Sequence, residues 1–437
     1  MRIGILILLV VAFVKSGSSQ PFYFPPITGN EWQTVSPASL GWDVARIDSL
    51  MQFLESNDTK AFLLLKDGRI VVERYFGTFT QDSVWYWASA GKTLTAFLVG
   101  MAQQNNQLNL TEPASKYLGA GWTSSTPAQE ERITIWHQLT MTSGLNDGVP
   151  DNHCTDKACL VYLADAGTRW AYHNAPYTLL DEVLSNATGR TLNALIFQHL
   201  TQPAGISGAF IRMGFNNVFV SRARSMARFG LLMLNRGNWN GNQIMTDLVY
   251  FDQMITPSQL LNRSYGYLWW LNGQSSFMLP ELRLVFPGML FPQAPPQMYS
   301  ALGKNGQILS VVPGMNLVMV RLGNDPETGL VPAILTNQIW ERLQRIIGAP
   351  LNTIEPQKAQ RVKLWPVPAT NYVTVRFQTE GYMVEVFDGF GRKVLFREKC
   401  DLEETLPVSN LKPGLYFLRA TGTDNQSEVI RFTVKRP

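Results

Sequence analysis

Apolar and polar positions follow several different rhythms along this chain. Residues 3–14 (IGILILLVVAFV) form an unbroken apolar run, shorter than the ~20 residues a bilayer-crossing helix needs. Arg2 precedes the run and the small residues Gly17, Ser18 and Ser19 follow it. That order predicts a secretory signal over residues 1–19, with a short buried helix as the alternative. The spacing of Ile47, Leu50, Met51 and Leu54 predicts a helix within Trp42–Leu54. The run AFLLLKDGRIVVERYF predicts a β-hairpin turning at Asp67-Gly68. Apolar-rich helices are expected from Ser89 to Gln103, near Ser221–Leu234 and over Val331–Ile347, with strands at Tyr265–Leu271, Gln307–Val312 and Asn316–Leu322. Strands at both ends of residues 20–348 enclose a helical middle. The layout is therefore α+β: one sheet with an all-helical region inserted between its strands.

The rhythm changes beyond residue 348. Residues 349–363 show little periodicity and are expected to be a linker. Residues 364–437 hold the alternating runs NYVTVRF, YMVEVFD, RKVLFRE, LYFLRAT and EVIRFTV, separated by turn residues such as Lys412-Pro413-Gly414. Five or more short strands in so small a segment predict a β-sandwich.

Charge and cysteine content refine this picture. The formal charge is +4 and the pI about 8.8, values that would suit a polyanion-binding protein if the charge were concentrated. Residues 20–360 carry 23 basic and 24 acidic residues, so the large unit is close to neutral and nucleic acid is not an expected partner. The surplus sits in the first nineteen residues and in the β-rich tail. No other stretch reaches membrane-spanning length, so no transmembrane segment is expected. Export implies an oxidising environment, in which Cys154 and Cys159 suit a local disulfide. A zinc site using His153 is the alternative, but no fourth ligand is apparent. No metal or other cofactor is expected.

The candidate chemistry starts from what is missing. Ser89 lies in Trp-Ala-Ser-Ala-Gly, which lacks the leading glycine of a nucleophile elbow. None of the four histidines (His137, His153, His173, His199) stands in a triad context. Ser89-Ala90-Gly91-Lys92 supplies another base, because residues three apart on a helix share a face and Lys92 can reach the Ser89 hydroxyl. The lysine works as a base only if burial or a neighbouring charge lowers its pKa. Alone the pattern is weak: ~1–2 Ser-x-x-Lys tetrads are expected by chance in such a chain, and Ser409-Asn410-Leu411-Lys412 is a second. Tyr172-His173-Asn174 adds a proton-transfer phenol and a positioning amide. Lys304-Asn305-Gly306 adds a cation and a side-chain-free backbone ahead of a strand.

In this order, the three elements resemble the penicillin-recognising serine hydrolases, which include class C β-lactamases, DD-peptidases and related esterases. Ile133–Leu145, Ala223–Leu234 and Tyr265–Trp270 also look like segments of that family, so the resemblance spans about residues 40–345. It implies a β-lactamase/transpeptidase-like antiparallel sheet flanked by helices, with the site between sheet and helical region. It further implies Ser89 as acylated nucleophile, Lys92 and Tyr172 as proton-transfer groups, and Asn174, Lys304 and Gly306 as positioning elements. The implied oxyanion hole is the backbone N–H of Ser89 and of Gln307. Asn305 stands where β-lactamases carry Thr or Ser, and Lys304 stands where many esterase relatives carry His. The substrate implied is a small or peptide-like ester or amide, including β-lactams and D-amino-acid peptides. A binding or sensing module acylated without turnover is the alternative.

Residues 364–437 resemble the sorting domain of the bacterial type IX secretion system, through Trp365–Thr370, Val384–Asp388, Gly391–Val394, Val408–Phe417 and Phe432–Lys435. The resemblance implies the type IX machinery as partner and a product that is secreted or displayed on the surface of a Gram-negative bacterium, after passage through the periplasm. A carbohydrate-binding or spacer sandwich is the alternative.

Overall fold

The computed structural model describes residues 22–282, 284–325, 331–348, 362–388, 392–423 and 427–435. The expected signal segment and all but the last two residues of the expected linker lie outside these. Those two, Val362 and Lys363, already belong to a strand.

Helix α1 (Ile47–Ser56) is followed by the hairpin of β1 (Thr59–Lys66) and β2 (Arg69–Tyr75). Asp67 and Gly68, at φ 49° and 83°, make its turn as the sequence suggested. The short strand β3 (Val84–Tyr86) leads into α2 (Lys92–Gln104). Short helices α3 (Ser115–Leu118), α4 (Pro127–Glu130), α5 (Ile135–Leu139), α6 (Asn174–Thr178), α7 (Leu180–Thr188), α8 (Leu192–Ile196) and α9 (Gln202–Ala204) make the helical middle. Then come β4 (Ala209–Met213), β5 (Asn216–Arg222), α10 (Ala223–Leu234), the two-residue ribbon β6 (Asn238–Trp239) and β7 (Asn242–Gln243), and α11 (Leu248–Met254). The unit closes with β8 (Trp270–Leu271), β9 (Ser276–Phe277), β10 (Phe286–Pro287), β11 (Tyr299–Gly303), β12 (Gln307–Val312), β13 (Leu317–Gly323) and α12 (Ala333–Ile347).

The main sheet is antiparallel in the order β2-β1-β13-β12-β11-β8. Every residue of β12 and β13 is buried. Successive residues of a strand point to opposite faces, so the centre of the sheet is covered on both sides. Helix α10 packs tightly there: a methyl group added at Gly230 would lie 2.5 Å from Val318 and 2.6 Å from Leu309. The expected strand over Tyr265–Leu271 is reduced to Trp270–Leu271. The backbone folds back at Leu268, with φ 61°, and Tyr265 forms a bridge with Trp270.

A second, three-stranded sheet, β3-β5-β4, stands beside the first. Its strand β5 braces the turn between β3 and α2, where Phe219 O accepts from the Trp87 N–H at 2.8 Å.

The tail forms two small antiparallel sheets. One has the order β14 (Val362–Trp365), β15 (Tyr372–Phe377), β18 (Glu403–Pro407). The other has β17 (Lys393–Cys400), β16 (Tyr382–Asp388), β19 (Gly414–Thr421), β20 (Ser427–Val434). Both sheets contribute to one apolar cluster that includes Val373, Val375, Val384, Val386, Leu406 and Leu418. Phe417 instead joins the core of the large unit, with its ring 4.6 Å from that of Phe286 on β10.

Candidate active site

Ser89 sits in a single 3-10 turn, Ala88–Gly91, that runs directly into α2. Trp87 anchors it: its backbone N–H donates to Phe219 O at 2.8 Å and its indole N–H to Ser221 Oγ at 2.8 Å. Ala88 follows at φ 46°, a left-handed conformation that costs an L-residue roughly 1–2 kcal/mol. The strain is held by the buried tryptophan on one side and the helix on the other.

Lys92, the first residue of α2, is 4% exposed, and its Nζ lies 3.0 Å from Ser89 Oγ. Its ammonium position is also 4.3 Å from the ring centre of Tyr177 and 5.2 Å from that of Tyr172. Burial pulls its pKa down to about 7, partly opposed by the carboxyl group of Asp181. A lysine in this state is unprotonated often enough to act as a base near neutral pH. Tyr172 is buried beside Ser89, and burial pushes its phenol far above the usual value, with Ser89 only partly opposing. It is therefore neutral, a proton donor rather than a tyrosinate. Trp270 stacks on it at 5.8 Å and Tyr265 meets it edge-on at 6.3 Å. Trp87, Trp269 and Trp270 are fully buried core residues.

Asn174 opens α6. Its Nδ2 donates to Asn152 Oδ1 at 3.0 Å and lies 3.5 Å from His153 Nε2, while its buried Oδ1 has no protein partner. Cys154 and Cys159 are bonded to each other directly beside these two loop residues, and Cys400 is a buried free thiol in the tail. No group of His, Cys, Asp and Glu among the described residues is placed to hold a metal ion. His137 caps the start of α5, its Nδ1 lying 2.8 Å from Thr134 Oγ1.

The third sequence element is placed differently from the first two. Lys304-Asn305-Gly306 is the tip of the β11–β12 hairpin, with Gly303 paired to Gln307 across it. Lys304 is exposed. Asn305 Nδ2 donates to the Tyr86 hydroxyl at 2.8 Å, and Arg321 donates to the carbonyls of Asn305 and Gly306 at 3.0 and 2.9 Å. Gln307 turns its side chain toward β13, donating to Gly323 O at 2.7 Å. The backbone that meets the Ser89 turn is Gly303: a methyl group there would lie 3.1 Å from the Ser89 amide nitrogen and 2.3 Å from Trp87 O.

Gly303 is not signalled in the sequence, because Tyr-Ser-Ala-Leu-Gly contains no β-branched residue and little strand pattern. Tyr177 and Asp181 also lie outside the three sequence elements. The second of these had a detectable signal, since Asp181 falls beside Leu180 and Leu184 on the apolar stripe of α7, where a solvated acid is out of place.

Residues 56–344 match the family model described as β-lactamase. The chain belongs to that family. Residues 363–435 match the model of the secretion system C-terminal sorting domain, so the product is handled by the type IX machinery and is secreted or held at the cell surface. An uncharacterised protein of Alkalihalophilus pseudofirmus is 24% identical over 322 residues, 64% of this chain and 88% of its own length. Among solved structures, a candidate 6-aminohexanoate-dimer hydrolase from Bacillus anthracis superposes with a TM-score of 0.56 at 19% identity, covering 74% of this chain and 91% of its own. A family VIII carboxylesterase gives 0.54 at 14% identity, covering 72% and 99%. Such distant likenesses establish the β-lactamase/transpeptidase-like fold, and members of this family are typically serine hydrolases. No helix of the described residues is long and apolar enough to cross a membrane.

Proposed function

We propose that this β-lactamase-family protein is an exported serine hydrolase that works through an acyl-enzyme at Ser89 on an ester, amide or peptide-like substrate. The observation that carries this reading is the 3.0 Å contact between Ser89 Oγ and a buried Lys92 whose pKa is drawn down to about 7. The Ser89 oxygen attacks the substrate carbonyl while its proton passes to the Lys92 amine. The Ser89 N–H and the backbone at the end of β11, at Gly303–Lys304, hold the oxyanion; the close approach of Gly303 supports that end of the strand over Gln307. As the tetrahedral intermediate collapses, the carbonyl–leaving-group bond breaks and neutral Tyr172 supplies the leaving group's proton, recovering one from Lys92. Water then attacks the acyl group by the reverse relay and frees Ser89. Asn174, with an unpartnered Oδ1, is suited to orient a substrate N–H. The sorting domain takes this catalyst through the periplasm of a Gram-negative bacterium to the outside.

The test is intact-protein mass and product analysis with a panel of β-lactams, D-amino-acid peptides and short-chain p-nitrophenyl esters, beside Ser89→Ala. Steady product formation abolished by the substitution supports the hydrolase. A persistent adduct without turnover replaces it by an acylated sensor, and the absence of both adduct and product overturns it.

A further inference from the structure

A buried polar layer lies one helical turn deeper than the nucleophile. Ser89, Lys92 and Thr95 follow at intervals of three along the start of α2, so they form one line on a single face. Tyr177 and Asp181, four apart across α6 and α7, run alongside that line. Tyr177 faces Lys92 at 4.3 Å. Asp181 Oδ1 accepts from Thr95 Oγ1 at 3.2 Å and its Oδ2 accepts from Asn217 Nδ2 on β5 at 2.8 Å. Asp181 is 5% exposed, as buried as the base itself. Its two hydrogen-bond donors are both neutral, so neither cancels its charge.

We propose that Asp181 is the counter-charge of Lys92, a positioning residue that governs how readily the base takes up the serine proton without touching substrate. This rests on the hydrolase reading above. When Ser89 loses its proton, Lys92 becomes an ammonium in a buried site walled by Tyr172 and Tyr177, where an isolated charge is costly. An ionised Asp181 compensates it through the layer, and no atom of the substrate is involved.

The charged and titratable groups around the pair are few. Facing Lys92 are Tyr172 and Tyr177, with Tyr265 coupled to both of these phenols. Facing Asp181 are Lys92, Tyr177 and the side chain of Arg212 on β4. Arg212 is exposed and its field is screened by solvent. Lys92 is the buried cation of the set and Asp181 its buried anion. Burial raises the Asp181 pKa and lowers that of Lys92, and each group partly opposes the other's shift, as expected for opposite charges sharing a dry layer.

The experiment follows Lys92 directly in protein carrying ¹³C-labelled lysine, its side-chain signal assigned with Lys92→Gln, and in parallel the pH dependence of kcat/KM on p-nitrophenyl acetate. Asp181→Asn keeps the side chain's shape, and its amide can satisfy both Thr95 and Asn217. Removing the negative charge makes the ammonium less favourable, so the Lys92 titration and the acidic limb of the rate profile both move to lower pH, by about one unit. A folded Asp181→Asn variant whose Lys92 titrates with that of the native protein overturns the proposal and leaves Asp181 a structural residue. Should Asp181→Asn fail to fold, Asn217→Ala removes a donor to the carboxylate; a smaller shift in the same direction supports the proposal, and none overturns it. Failure of the hydrolase reading is distinct, because it appears as no Ser89-dependent product while the lysine titration still reports on Asp181.

Discussion

The chain carries the tetrad Ser-x-x-Lys twice in conspicuous places, and the two copies share nothing beyond spelling. Ser89 and Lys92 span a buried turn, 3.0 Å apart, with aromatic rings around the lysine. Ser409 and Lys412 are both exposed in the turn before β19, where the Ser409 N–H donates to Asn371 O and the Lys412 carbonyl accepts from the Tyr416 hydroxyl at 2.7 Å. The second copy builds a turn; the first builds a hydrogen-bonded pair around a buried lysine. Spacing gives a serine and a lysine the chance to meet, but burial is what leaves a lysine amine unprotonated near neutral pH. The motif is therefore better defined by its surroundings than by its letters.

That contrast can be broken most sharply at the serines. Ser89→Ala is expected to lower ester hydrolysis by about 10⁴-fold or more, whereas Ser409→Ala leaves it at the native rate; steady-state assays of the two variants check both. At the lysines, Lys92→Gln should cost roughly 10²–10⁴-fold while Lys412→Gln costs nothing, with circular dichroism confirming that both fold. Gly303→Val probes whether the β11 backbone belongs to the reactive turn. Its added carbons collide with Trp87 O and the Ser89 amide, and displacing that geometry by about 1 Å should lower kcat by roughly 10²-fold. The pH profile sharpens the comparison further. Lys92 must lose a proton to work and its pKa lies near 7, so kcat/KM should fall about tenfold per unit below that pH and level off above it. A limb nearer the ordinary lysine value would return Ser89–Lys92 to the same class as Ser409–Lys412. The smallest effect is expected at the loop behind Asn174: Cys154→Ser with Cys159→Ser should cost about 2 kcal/mol or less, because the closed loop is short, read as a lower Tm with KM raised more than kcat.

Much of this was legible in the sequence where local and tertiary demands agree. The Asp67-Gly68 hairpin, the amphipathic α1 and the apolar α10 were readable because turn chemistry and periodicity alone determine them. Ser89, Lys92 and Tyr172 were readable as a set from the Ser-x-x-Lys and Tyr-x-Asn spacings, and the fold brings the three together. What escaped depends on distant packing. Tyr299–Gly303 becomes a strand only because β12 and β8 flank it; with no β-branched residue it lacks intrinsic preference. Lys304, the residue directly after this strand, sits exposed on the hairpin tip. Tyr265–Leu271 was overcounted for the opposite reason. Its aromatic residues suit a strand, but the turn at Leu268 redirects them into the wall around Tyr172.

The Cys154–Cys159 bond beside Asn152 and His153 has a consequence for timing. These two residues brace Asn174, and the loop that carries them is cross-linked only once the chain has left the reducing cytosol. The candidate site is thus completed in two stages, the Ser89 turn set by folding and the loop behind Asn174 closed only on arrival. Maturation of the site becomes a record of where the molecule has been.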